Sequence, residues 1–171
     1  MPRGRVRWEE YEGGGERRLA AGRVVCSVAA HGGYVCGGLG NGSIKVWSRS
    51  TLEEERTLAG HTGAVMSLLS TGGKLISGSD DGSIRVWDVA GGRCEGVLEG
   101  HTGGVMSLAA IGGRVVSGSR DGTVRVWEKE GGVSNWWCER TLDGQGSRVH
   151  CVVGWQGGVA QRRLTEYCRQ T

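Results

Sequence analysis

His61, Ser77 and Asp81 bring an imidazole, a hydroxyl and a carboxylate into one stretch of chain, and His101, Ser117 and Asp121 repeat the set forty residues later. These are the residue types of a hydrolytic triad, in which the hydroxyl attacks, the imidazole takes its proton and the carboxylate orients the ring. An enzyme needs one such site. Here the set recurs with the same spacing, 77 − 61 = 117 − 101 = 16 and 81 − 77 = 121 − 117 = 4, and each copy is followed by a tryptophan, Trp87 or Trp127. No serine lies in a strained Gly-x-Ser-x-Gly elbow. The recurrence points to architecture, so no catalytic residue is expected and the protein is read as a non-enzyme.

Other chemistries find less support. The six cysteines (26, 36, 94, 138, 151 and 168) include no Cys-x-x-Cys pair, so no metal site is expected, and no cofactor either. They read as thiols in a reducing compartment. Arg3, Arg5, Arg7, Arg162 and Arg163 could attract phosphates. Arginine is common throughout, however, and the net charge is only +3. Nucleic acid is therefore disfavoured as a partner. No stretch of 18 apolar residues suggests a membrane span, and the start, MPRGRVRWEEYE, has no apolar segment of the kind a secretory signal needs. The expected location is cytoplasmic or nuclear.

The elements that must position these side chains repeat as well. Gly60–Trp87 and Gly100–Trp127 align without a gap, with 18 of 28 positions identical, and residues 20–47 fit the same frame. Trp47, Trp87 and Trp127 are 40 residues apart. Glu55-Arg-Thr-Leu58 recurs as Glu139-Arg-Thr-Leu142, after which a further copy begins. Glycine makes up 34 of 171 residues with no three-residue period, which excludes collagen and costs about 1 kcal/mol at each helix-interior position. Apolar runs of 4–6 residues between Gly-Gly and Asp-Gly turns read as strands. Four are expected per unit: 24–29, 34–38, 43–48 and 55–59; then 65–69, 74–79, 83–88 and 95–99; then 104–109, 114–119, 123–128 and 138–143. A sheet this small cannot cover both its faces, but radially stacked copies cover one another. The expected fold is all-β, a propeller built of such blades.

The chain resembles WD-repeat proteins. The residues that carry the resemblance are Gly60-His61, Ser77-Gly-Ser-Asp-Asp-Gly82 and Trp87-Asp88, with Gly100-His101, Ser117-Gly-Ser-Arg-Asp-Gly122 and Trp127-Glu128. The resemblance implies that His61, Ser77, Asp81 and Trp87 form a hydrogen-bonded chain across one blade, and His101, Ser117, Asp121 and Trp127 across the next. Ser77 is favoured over Ser79 for this chain. It also implies a protein-interaction scaffold that binds other proteins or peptides through rim loops. Partner-contact candidates there are Asp80 and Arg120, with Gly40 at the equivalent position, and Thr62 and Thr102 beside the histidines. Trp136 and Trp137, in the insertion GGVSNWWCE, are candidates for an interface anchor. Alternative expectations are an RNA-associated WD-repeat protein, or a fragment of a larger substrate-recognition subunit such as that of a ubiquitin ligase.

The first unit departs from the pattern. Ala21, Gly37 and Asn41 stand where the others have His, Ser and Asp, and only Trp47 survives. His31 falls in a turn and reads as an exposed loop residue. The expected division is partial blade strands at 1–19, a degenerate blade at 20–59, blades at 60–99 and 100–143, and a partial blade with a divergent tail at 144–171. In the end pieces, Arg5–Glu9, Glu16–Leu19, Val149–Val153 and Gly158–Ala160 are expected strands. About four units in an open arc fit this better than a closed ring, leaving exposed blade edges through which the chain could self-associate.

Overall fold

The computed structural model describes residues 23–129, 135–143 and 148–153. Twelve strands form three four-stranded antiparallel sheets, and each sheet takes four consecutive strands in sequence order. Blade 1 comprises β1 (Val25–His31), β2 (Tyr34–Leu39), β3 (Ile44–Ser48) and β4 (Glu54–Leu58). Blade 2 comprises β5 (Val65–Thr71), β6 (Lys74–Ser79), β7 (Ile84–Asp88) and β8 (Arg93–Leu98). Blade 3 comprises β9 (Val105–Ile111), β10 (Arg114–Ser119), β11 (Val124–Lys129) and β12 (Trp136–Leu142). The described residues contain no helix. The three sheets follow one another as an arc of a propeller.

Besides fourth strands that begin two residues earlier in blades 2 and 3, at Arg93 and Trp136, so that Trp136 and Trp137 lie in β12, two features differ from the sequence expectation. The first strand of each blade runs two residues further, to His31, Thr71 and Ile111. In blades 2 and 3 both turn glycines have positive φ (Gly72 +56°, Gly73 +71°, Gly112 +57°, Gly113 +83°), which suits a two-residue hairpin turn and lets the strands pair right up to it. The second difference is at Val149–Val153, where the ladder does not form. Val149 instead donates its N–H to the Ser119 carbonyl, and the Val152 N–H donates to the Ser107 hydroxyl. The expected strands at Arg5–Glu9, Glu16–Leu19 and Gly158–Ala160 lie outside the described residues.

The core lies between blades. Cys36, Ile44, Val46 and Leu58 of blade 1 pack against Val65, Leu75, Trp87 and Val89 of blade 2. Ile76, Ile84, Val86 and Leu98 of blade 2 meet Val105, Val115 and Trp127 of blade 3. Ala109, Val116 and Val124 of blade 3 meet Val149 and Val152. Each blade thus has an outgoing face of Ile, Val and Leu and an incoming face centred on tryptophan. Full burial of one such side chain is worth about 1.5–3 kcal/mol, and each needs the neighbouring blade to achieve it.

Glycine in the second strand sets how closely blades approach. A Cβ on Gly78 would lie 2.6 Å from Cγ1 of Val105, and one on Gly38 or Gly118 would lie 2.7 or 2.6 Å from Cγ1 of Val65 or Val149. The three valines therefore dock in the same notch on successive blades, although Val149 belongs to no strand. A register shift precedes each tryptophan, at Val46/Trp47, Val86/Trp87 and Val126/Trp127. Such a bulge re-aims a side chain.

Candidate functional site

The polar set of blade 2 is one continuous chain. The Trp87 indole Nε1–H donates to the Ser77 hydroxyl at 2.8 Å. Ser77 lies 2.7 Å from His61 Nε2, and His61 Nδ1 lies 2.9 Å from Asp81 Oδ2. Blade 3 repeats it: Trp127 to Ser117 at 2.8 Å, Ser117 to His101 at 2.7 Å, and His101 to Asp121 at 2.8 Å. Both serines are fully buried. Each indole also meets its histidine edge to face, with centroids 6.3 and 6.1 Å apart.

An indole can only donate and an ionised carboxylate can only accept. One order of donation uses every hydrogen: Trp Nε1–H to Ser Oγ, Ser O–H to His Nε2, His Nδ1–H to Asp Oδ2. That order requires a neutral imidazole. Burial holds both histidines below their usual pKa, against the opposing pull of their aspartates. Burial alone would raise the Asp81 pKa. Hydrogen bonds from the Ser83 hydroxyl and N–H, from the Thr62 N–H and from His61 outweigh it and hold the carboxyl far below the ordinary range. Asp121 is held down in the same way by Thr123, His101 and Thr102.

Local structure places these groups. His61 sits in the turn before β5, Ser77 on β6, Asp81 in the β6–β7 hairpin and Trp87 at the end of β7. The hairpin needs Gly82 at φ +84°, a left-handed conformation that only glycine adopts without strain. Asp81 closes the hairpin through Ser83 and reaches across to fasten the Gly-His turn. Ser79, on the same strand as Ser77, has a separate task. Its hydroxyl donates to the Gly63 carbonyl and accepts the Asp81 N–H.

Blade 1 keeps half of this arrangement. Asn41 Oδ1 accepts from the Ser43 hydroxyl and N–H, as Asp81 does from Ser83. Gly37 supplies no hydroxyl, and a Cβ there would lie 2.9 Å from Cζ3 of Trp47. The indole packs over the space a serine would need. Ala21 lies outside the described residues.

The rim candidates separate into two kinds. Asp80 and Arg120, at equivalent hairpin positions of adjacent blades, pair with each other at 3.0 Å. Their charges are spent partly on bridging blades 2 and 3. Thr62 and Thr102 are exposed, and their backbone N–H groups are the donors to Asp81 and Asp121. Gly40 is exposed beside them. Trp136 is half-buried against the cluster between blades 2 and 3, while Trp137 is 42 % exposed. Only Trp137 presents the open surface an interface anchor needs. His31 is not a free loop residue, because it ends β1 and its Nδ1 lies 2.9 Å from the Ser70 hydroxyl of blade 2.

Several inter-blade bonds are absent from the sequence reading. Ser27 donates to the Val65 carbonyl at 2.8 Å. Arg56 Nη1 donates to the Val89 carbonyl at 3.1 Å and to the Ala90 carbonyl. Serine in a strand and arginine in an exposed strand carry no local signal for such partners. Cys26, Cys36, Cys94 and Cys138 carry free thiols, and burial raises the Cys36 thiol to about 11. Among the described residues, no three His, Cys, Asp or Glu side chains cluster as metal ligands would, and no helix is long and apolar enough to cross a membrane.

Repeated four-stranded blades, two of them bearing the same Trp–Ser–His–Asp chain, define the class. The family model for the WD domain, G-beta repeat, matches residues 52–88 and 92–128. The chain is similar to the computationally designed Ika4 protein (32 % identity, TM-score 0.68, covering 76 % of this chain and 79 % of that one). It is also similar to the computationally designed Ika8 protein (32 % identity, TM-score 0.66, 78 % and 40 %). A chain of the Mitotic Checkpoint Complex matches at 30 % identity and TM-score 0.69, over 77 % and 41 %. This protein belongs to the WD-repeat family. It spans about two fifths of the length of the latter two chains. No curated protein matches it by sequence. Since 1190 solved chains match by structure, likeness of fold selects no particular partner.

Proposed function

We propose that the chain is a non-catalytic protein-interaction scaffold that holds protein or peptide partners at the rim carrying Thr62, Asp80, Thr102 and Arg120. The observation that carries this reading is the state of the two serines. Each hydroxyl is buried, donates to its histidine and accepts from an indole, so it is neither open to a substrate nor free to attack one. What remains at the surface is a set of turns fixed by rigid sheets, the arrangement that serves recognition. Family membership supports it, as does similarity to a chain from a multi-protein complex. The free thiols of Cys26, Cys36, Cys94 and Cys138 suit a cytoplasmic or nuclear location.

The test uses a partner identified by cross-linking and mass spectrometry, whose affinity is then measured for rim variants. Asp80→Lys and Arg120→Glu weaken binding on this reading, while the circular dichroism spectrum is unchanged. Retained affinity in both variants, with loss on altering the opposite rim at His31 or Ser70, would overturn it.

A further inference from the structure

Among the described blades, one incoming face is uncovered. Val65 and Val105 are fully buried by the preceding blade, but their counterpart on blade 1, Val25, is 43 % exposed. Beside it Val28, the counterpart of half-buried Leu68 and Leu108, is 70 % exposed.

Blade 3 carries the outgoing face that fits such a surface, because it repeats the parts with which blade 1 holds blade 2. In that pair Val65 fills the notch at Gly38, Val46 and Leu58 lie in the shared core, and Arg56 donates across to the Val89 and Ala90 carbonyls. Strand register puts Gly118, Val126, Leu142 and Arg140 of blade 3 at the places of Gly38, Val46, Leu58 and Arg56. Blade 1 in turn repeats the receiving side. Val25 stands for Val65, and Arg49 and Ser50 follow β3 as Val89 and Ala90 follow β7. Blade 3 of one chain therefore offers what blade 1 of another chain lacks.

The chain closes only part of this outgoing face with its own residues. Val149 fills the Gly118 notch, and Val152 lies beside it. They are held by bonds from the Val149 N–H to the Ser119 carbonyl at 2.9 Å and from the Val152 N–H to the Ser107 hydroxyl at 3.0 Å. Farther out, Val126 and Leu142 are half-buried and Arg140 is exposed, whereas Val46 and Leu58 on blade 1 are enclosed. Val149 and the Val25 of a second copy need the same notch, so only one of them can be seated.

We propose that Val149 and Val152 are a plug that keeps a second copy of the chain from docking head to tail, its blade 1 on this blade 3. The plug is tethered beside the notch, so its effective concentration is of the order of millimolar, above that of a second copy in dilute solution. A contact between two different faces repeats from copy to copy, so release of the plug leads to closed rings or longer arrays.

Sedimentation velocity on the full chain over a range of concentrations tests this. The wild type stays monomeric. Val149→Asp combined with Val152→Asp frees the notch, and its weight-average mass climbs with concentration toward two chains or more. Adding Val28→Asp, an exposed position on the receiving face, returns that protein to the monomer. So does an excess of a synthetic peptide of residues 148–153, but not the same peptide with Val149→Asp. Circular dichroism checks the fold, and Val149→Ala with Val152→Ala, a milder release, decides the matter if the aspartates unfold the chain. A released variant that is folded and monomeric at every concentration would overturn the proposal. So would association equal to that of the wild type, or association that Val28→Asp leaves unchanged, which would place the contact on another surface.

Discussion

Replacing Ser77 by alanine removes one oxygen and strands two groups. Trp87 Nε1–H and His61 Nε2 both end on that hydroxyl, at 2.8 and 2.7 Å. Trp87 is 1 % exposed and the His61 side chain is fully enclosed, so water cannot replace the lost oxygen. An unpaired buried group costs about 1–3 kcal/mol, which puts the two together at roughly 2–6 kcal/mol. At about 2–4 °C per kcal/mol for a chain of this size, a loss of some 3 kcal/mol lowers Tm by roughly 6–12 °C. The same reasoning makes the effect non-additive with Trp87→Phe. Once the indole N–H is gone, Ser77→Ala strands only the histidine. The double variant is then less destabilised than the sum of the singles by roughly 1–3 kcal/mol. Urea unfolding followed by circular dichroism, which does not depend on the altered tryptophan, measures all four proteins. Additivity within about 0.5 kcal/mol would show that the serine does not join the two rings. A Ser77→Ala protein of undiminished stability that loses a hydrolytic activity would restore the enzyme reading.

Other perturbations separate the remaining contributions. Lowering the pH should destabilise the protein in two stages. His61 and His101 have depressed pKa values in the fold, so below about pH 6.5 the unfolded chain binds protons that the folded chain does not, and stability falls. Asp81 and Asp121, also depressed, add a further loss below about pH 4; a Tm constant from pH 7 to pH 5 would contradict the neutral-histidine chain. Gly78→Ala drives a methyl group to 2.6 Å from both Ser67 Oγ and Val105 Cγ1 and should cost about 1–3 kcal/mol by overpacking. Gly33→Ala, with nothing within 4 Å, should leave Tm near wild type in the same melt. Arg120→Ala breaks an ion pair whose side chains are 39 % and 31 % exposed. It should cost less than about 1 kcal/mol, and a larger loss in urea titration would mean that the bridge holds blades 2 and 3 together.

The repeat was readable because each unit spends the same residues on the same tasks. The Gly-Gly and Asp-Gly turns mark the strand ends, and the tryptophans mark the close of the third strands. The tetrad residues stand out because His, Ser and Asp recur at fixed spacing among apolar neighbours. The sequence is silent where a residue's task depends on the next blade. Asp80 and Arg120 read as opposite charges at equivalent turns, and only the stacking of blades brings them to 3.0 Å. His31 reads as a loop residue because its partner, Ser70, is 39 residues away. Val149–Val153 has the composition of a strand, but a ladder needs a paired neighbour. The segment docks through Val149 and Val152 instead.

Each blade is completed by the next through one repeated contact, a valine set into a glycine notch. Nuclear Overhauser effects from the valine methyls test it most directly. Cross-peaks are expected from Val65 to the Gly38 Hα, from Val105 to the Gly78 Hα and from Val149 to the Gly118 Hα, corresponding to the close approaches at all three notches. Resolved valine methyl signals without these cross-peaks, or with the three valines facing unrelated residues, would contradict it.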